Sequence, residues 1–108
     1  VIMSQQGFEK YGTRAREDAV MLIDADLVRS RPACRAYEIP ATAEAKTALG
    51  REIVANIVMI GALVAATEIV SREAIERAVL DSVPKGTENL NIKALKRGFE
   101  LGERACKP

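Results

Sequence analysis

Histidine and tryptophan are absent from this sequence, and its aromatic residues are only two Tyr and two Phe. Without an imidazole, His-ligated zinc sites, Ser-His triads and Cys-His pairs are all excluded. Cysteine is nearly as scarce. Cys34 and Cys106 stand 72 residues apart, match no metal-ligand spacing and are expected to be plain reduced thiols. No signal-peptide pattern is read before the first strand and no lipidation motif at the end, so a cytoplasmic location is expected. An excess of either charge is also lacking: 16 basic against 15 acidic side chains leave a net charge of +1. A dedicated nucleic-acid binder carries a basic excess and an anionic-membrane binder a polybasic patch, so neither partner is expected. Internal repeats and low-complexity segments are not found. What is there, 48% apolar and 29% charged residues over 108 positions, fits one globular domain.

A hydrophobic run long enough to cross a bilayer is missing too. Ile53 to Thr67, broken only by Asn56, is fifteen residues long and bordered by Glu52 and Glu68, short of the roughly 20 that a membrane helix needs. A helix apolar on nearly all sides is buried on nearly all sides. Gly61, Ala62, Ala65 and Ala66 give it small residues at i,i+4 spacing, which lets another backbone approach closely. The plain reading is a core helix with a locally bonded Asn56. The sharper reading makes Asn56, Gly61, Ala62 and Ala65 part of a subunit interface.

Around that run the patterning changes from strand to helix. Val1–Ser4 is short and apolar and reads as the tail of a buried strand, so the chain reads as the latter part of something longer. A polar amphipathic helix is expected from Gln5 to about Arg16. Val20–Ile23, ending at Asp24, reads as a buried strand, and alternation over Arg35–Ile39 as another that Pro40 ends. Thr42 is positioned to cap a helix through Leu49, with Gly50 at its stop. The apolar helix then runs from about Arg51 to Thr67. Ser71 stands where the cap of a further helix belongs, with Ile75, Ala78, Val79 and Ser82 on one face. Val83-Pro84-Lys85-Gly86 is a turn. A last helix spans about Glu88 to Arg104 with Ile92, Leu95 and Phe99 on its buried stripe. Strands alternating with helices, then helices alone, point to an α/β domain.

The succession NIVMIGALVAATEIVSREAIERAV, then SVPKGTENLNIKALKRGFELG, resembles the gamma subunit of the 2-oxoacid:ferredoxin oxidoreductases, most of all the 2-oxoglutarate type. Asn56 with Met59-Ile60-Gly61-Ala62, then Ile69-Val70-Ser71, Val83 through Thr87, and Asn91 carry the likeness, which covers essentially all 108 residues. It implies a three-layer α/β/α sandwich, residues 1–108 being the C-terminal part of one gamma domain with its N-terminal strands and glycine-rich segment lying before Val1. It also implies an enzyme complex that oxidatively decarboxylates a 2-oxoacid, forms an acyl-CoA and passes electrons to ferredoxin. Thiamine diphosphate, Mg2+, iron–sulfur clusters and coenzyme A are implied for the complex and none for this chain. Alpha, beta and ferredoxin-like delta subunits are the implied partners. Pyruvate, branched-chain and indolepyruvate versions stay open. So does a helix-rich regulatory module using residues 71–82 and 88–104 as a helix-turn-helix. One departure stands out: Glu68 occupies a position where the family pattern usually has a glycine suited to a left-handed helix stop, so Glu68 is expected to manage the turn in another way.

Candidate sites are sparse. Ser4 and Gln5 follow a strand at the edge where open α/β sheets bind ligands, although a helix cap explains them equally. Lys85 could meet coenzyme A phosphates, although a Pro-Lys-Gly turn needs no ligand. Asp24 and Asp26 have the spacing of some oxygen-ligand metal loops, but two carboxylates alone make an ordinary strand-end turn. No metal site, no nucleophile–base pair and no acid–base pair is expected.

Overall fold

The computed structural model describes residues 1–106 and builds three layers around a small parallel sheet. Strand β1 (Val20–Asp24) pairs in parallel with β2 (Arg35–Ile39), Leu22 standing opposite Tyr37. Ile2 adds a parallel bridge to Ile23 on the other side of β1, the strand pairing expected of Val1–Ser4 being limited to that residue. Side chains alternate across a strand, and β1 uses both faces. Met21 and Ile23 pack with Phe8 and Val28 on one side. Leu22 joins Ile39 and the main helical core on the other. A strand covered on both faces is the parallel-sheet pattern, which is why this segment reads as an unbroken apolar run.

Helix α1 (Gln5–Tyr11) forms the first layer, its start fixed by Ser4, whose Oγ accepts from the Gly7 amide at 3.0 Å. It ends earlier than expected and tightens into a 3-10 turn over Gly12–Arg14. Gly12 lies directly under the Phe8 ring, where a Cβ would come within 2.8 Å of it. The third layer holds α2 (Ala41–Thr47), α3 (Ala55–Thr67) and α5 (Glu88–Cys106). Helix α4 (Arg72–Ser82) packs outside them through Val79, which meets Val64, Leu95 and Phe99.

Two helix starts differ from the sequence reading. Thr42 is not a cap but lies inside α2, because the fully buried Asp24 takes its hydroxyl. The apolar helix begins with a 3-10 turn at Glu52–Val54 and becomes α-helical only at Ala55. Ser71 caps α4 as expected, its Oγ accepting from the Ala74 amide at 3.0 Å. The buried stripe of α4 is narrower than expected, since Ala78 and Ser82 are exposed.

Helix α3 owes its burial chiefly to α5. Contacts advance together along both helices, Val58 and Gly61 meeting Leu95 and Gly98, then Ala62 and Ala65 meeting Gly102, so the two run parallel. A Cβ on Gly98 would sit 2.0 Å from the Val58 carbonyl oxygen, and one on Gly61 would sit 2.3 Å from that of Leu95. Real side chains do not fit at such distances; glycine alone permits this approach. Gly61 and Ala62 therefore face a helix of their own chain, a correction to reading them as subunit surface. Ala65 is half-buried and Asn56 exposed.

The join after α3 uses the left-handed conformation that glycine favours, and Glu68 adopts it at φ 54°. Its amide donates to the Val64 carbonyl at 2.8 Å, closing the helix despite the side chain. Gly50 and Gly86 have positive φ at the two expected turns. No helix among the described residues is long and apolar enough to cross a membrane.

Candidate functional site

At the carboxyl ends of the strands, the polar side chains singled out from sequence are all engaged with one another or with nearby backbone. Gln5 Nε2 donates to Ser30 Oγ at 3.0 Å, and its Oε1 accepts from the Arg29 amide at 2.7 Å. Asp24 Oδ1 accepts from the Asp26 amide at 2.9 Å, while its Oδ2 accepts from Thr42 Oγ1 at 2.6 Å. Asp26 Oδ2 in turn accepts from the Ala43 amide at 2.8 Å, which fastens the strand end to the start of α2. A buried polar group left unpaired costs about 1–3 kcal/mol, and this web of bonds removes that cost. With Ser4 capping α1, this edge is tied by its own side chains. Among the described residues no three Cys, Asp or Glu side chains converge as a metal ligand set.

The helical layer carries one more polar tie. Arg97 on α5 grips Glu44 on α2 with two nitrogens, Nε at 2.9 Å and Nη2 at 3.2 Å, and reaches Glu100 with Nη1 at 2.7 Å. That hydrogen-bonded guanidinium holds the Glu44 carboxyl below the usual glutamate range. The same pairing raises the Arg97 value. Cys34 lies half-buried beside the α1 layer and Cys106 at the end of α5, both as free thiols.

A concavity lies elsewhere, where the 3-10 turn and first turn of α3 face the turn joining α4 to α5. This groove encloses about 410 Å³. Ile53, Ile57, Pro84 and Leu90 supply its apolar lining, and Arg51, Asn56 and Asn91 its chief polar groups. Asn91 is 7% exposed; its Nδ2 donates to the Thr87 carbonyl at 3.0 Å. The Asn56 Oδ1 accepts from the Ile57 amide at 2.9 Å. Lys85 sits exposed in the adjoining turn and makes no ion pair among the described residues. Of the interface candidates only Asn56 reaches this groove. Sequence order brought Asn56, Val83–Thr87 and Asn91 together as one pattern without showing that they are neighbours in space. Ile53 is exposed where Val54, Ala55, Val58 and Met59 are buried, a difference with no local signal in the sequence.

Residues 1–101 match the family model for pyruvate ferredoxin/flavodoxin oxidoreductase. The subunit KorC of 2-oxoglutarate synthase from Methanocaldococcus jannaschii is 45% identical over 107 residues, covering 95% of this chain and 57% of the relative. The protein of the same designation from Methanothermobacter thermautotrophicus is 41% identical over 110 residues, covering 94% and 58%. The chain thus spans little more than half the length of these curated relatives. Among solved structures, the gamma subunit of the keto/oxoacid ferredoxin oxidoreductase from Geobacter sulfurreducens superposes with a TM-score of 0.90 at 41% identity, covering 96% of this chain and 63% of that one. A 2-oxoglutarate:ferredoxin oxidoreductase from Magnetococcus marinus shares the fold at TM-score 0.80 and 18% identity, over 94% of this chain and 19% of that one.

Proposed function

Because the chain belongs to the pyruvate ferredoxin/flavodoxin oxidoreductase family, we propose that it serves as the gamma subunit of a 2-oxoglutarate:ferredoxin oxidoreductase. The 45% identity to an archaeal 2-oxoglutarate synthase subunit, over 95% of this chain, carries the proposal. In the reaction 2-oxoglutarate loses carbon dioxide, coenzyme A receives the succinyl group, and the released electrons pass to ferredoxin. Residues 1–108 form part of one gamma domain, and the work is done in the cytoplasm.

This chain completes the complex and leaves the chemistry to the alpha, beta and delta partners. The donor sets support that division. An iron–sulfur cluster takes about four thiolates, whereas this chain has two cysteines, on opposite sides of the fold. The paired strand-end carboxylates Asp24 and Asp26 are spent on bonds within the chain. These residues do not fit the cofactors of the complex. The helix-turn-helix alternative loses support because the exposed face of α5 carries Glu100 and Glu103 beside Lys93 and Lys96 rather than a basic excess.

The test is reconstitution of the complex from the full-length protein and its partner subunits. Ferredoxin reduction that requires both 2-oxoglutarate and coenzyme A, and falls when this subunit is omitted, is the expected result. Full turnover without the subunit would overturn its role. Turnover of pyruvate or indolepyruvate in place of 2-oxoglutarate would move it to a sister enzyme.

A further inference from the structure

Helix α4 takes no part in the main core. The large cluster that joins the sheet to α2, α3 and α5 contains no α4 residue among those described. Within α4 only Val79 is buried, at 5% exposure, with Ile75 and Glu76 half-buried. Val79 wedges onto Val64, Leu95 and Phe99, and Ile75 packs beside it. One clasp adds to the wedge: the Arg72 guanidinium lies 4.8 Å over the Phe99 ring and pairs with Glu103. Without these contacts the helix has little to hold its shape, since isolated helices shorter than about 12–15 residues are marginal in water. Both of its flanking turns use positive φ, 54° at Glu68 and 93° at Gly86. Seating α4 keeps Glu68 in a conformation that a Cβ disfavours, so its release relieves that join. The pair α3 and α5, by contrast, is held by a backbone approach at Gly61, Gly98 and Gly102 that belongs to those two helices alone.

We infer that α4 is a strap that opens on its own: it leaves the α3–α5 pair and unfolds between Glu68 and Gly86 while the rest of the fold stays closed. Local opening of this kind belongs to segments that bury few apolar contacts, and the two positive-φ turns are its hinges. The open form uncovers Val64, Leu95 and Phe99, an apolar strip that the seated helix hides. This is a property of the fold and does not depend on the reaction proposed above. The chain spans 57% of a curated relative, and the rest of such a protein is the other element that could hold α4 down. The outward face of α4 carries Glu73, Arg77 and Asp81 beside one large aliphatic side chain, Leu80. That is the face of a helix that meets water, not one built for burial.

The experiment is native-state hydrogen exchange of the full-length protein, followed by mass spectrometry for peptides of α3, α4 and α5 separately. Relative to their intrinsic rates, the α4 amides are expected to exchange at least about tenfold faster than those of α3 and α5. They should respond little to low urea, because the opening exposes little surface. Val79→Ala removes a contact that opening breaks and is expected to speed α4 exchange by about tenfold. Ile39→Val lies in the core that stays closed. It is expected to speed exchange in α3 and α5 by about fivefold and to leave α4 at the wild-type rate. Equal acceleration of all three helices by Ile39→Val would mean that α4 exchanges only when the whole fold unfolds, and would overturn the inference. So would wild-type α4 amides protected as strongly as those of α3 and α5, since the chain or the rest of the full-length protein then holds the helix shut. If Val79→Ala does not fold, Arg72→Gln decides in its place with a smaller acceleration, about threefold.

Discussion

Helices α3 and α5 lie side by side along their whole shared length, yet they end in opposite states. Past Val58 they meet backbone to backbone, with Gly61, Gly98 and Gly102 removing every side chain that would hold them apart. At their starts Ile53, Asn56 and Asn91 line an open groove instead. The closed end is lined by glycine and alanine, the open end by Ile53 among Arg51, Asn56 and Asn91. What separates them is side-chain size where the helices cross and the direction in which the side chains project. Burial is thus decided by the partner face a residue finds, not by its hydropathy alone.

The sharpest way to break this comparison is to add one carbon to the closed end. Gly98→Ala places a methyl group 2.0 Å from the Val58 oxygen, an overpacking with backbone on both sides. A loss of about 3 kcal/mol is expected in urea unfolding, the upper range for overpacked cores. Stability within 0.5 kcal/mol of wild type, to take an approximate surface-mutation range, would mean that the helices can separate freely and that the closed end is not special.

A smaller change sharpens the account at the far end of α3. Glu68 holds the left-handed conformation at φ 54°, which costs a residue with a Cβ roughly 1 kcal/mol or more. Glu68→Gly is expected to raise the melting temperature and to stabilise by about 1 kcal/mol or less, the glycine losing some of the gain to its freer unfolded chain. A lower melting temperature would show that the Glu68 side chain itself supports the join.

Smaller again is the electrostatic tie across the closed layer. The Glu44 carboxyl has its pKa lowered in the fold, chiefly by its hydrogen bond to Arg97. A lowered carboxyl pKa contributes stability that is fully present above the unfolded value, about 4.3 for glutamate. That contribution fades as pH falls from there through the folded value. Arg97→Gln should therefore cost more at neutral pH than in acid, and a flat difference across that window would remove the tie from the account. The two side chains keep 27% and 21% exposure, so solvent screening keeps the effect modest. Smallest of all is the effect of Ile53→Asp on stability. At 79% exposure the substitution should leave unfolding within about 0.5 kcal/mol of wild type, and a larger loss would mean that Ile53 is held by the fold.

Short-range signals made much of this fold readable. The bounds of β2, the Ser71 cap, the Gly50 and Gly86 turns and the exclusion of a membrane helix follow from neighbours within a few residues. Gly61, Ala62 and Ala65 announced a close approach, but the approaching backbone belongs to Gly98 and Gly102, some forty residues on, whose i,i+4 spacing on α5 was the matching clue. Thr42 was misplaced for a related reason. A threonine at a helix start reads as a cap until a buried carboxylate from a strand claims its hydroxyl. The expectation that Glu68 would manage its turn in some way other than the left-handed one fails, since Glu68 adopts that conformation itself. The groove was least legible, because a concavity is a relation among Arg51, Asn56 and Asn91 that no local pattern encodes.

Parallel neighbours also set a length. A chain leaving the end of α3 must travel back past it before α5 can begin beside its start, and α4 makes that return. Its eleven residues span about 16 Å at the helical rise, which makes the helix a spacer as well as an outer cover. Removing one turn from it would shift where α5 starts by about 5 Å and carry Gly98 out of step with Gly61. The sequence of α4 is largely free on its exposed face, but its residue count is not.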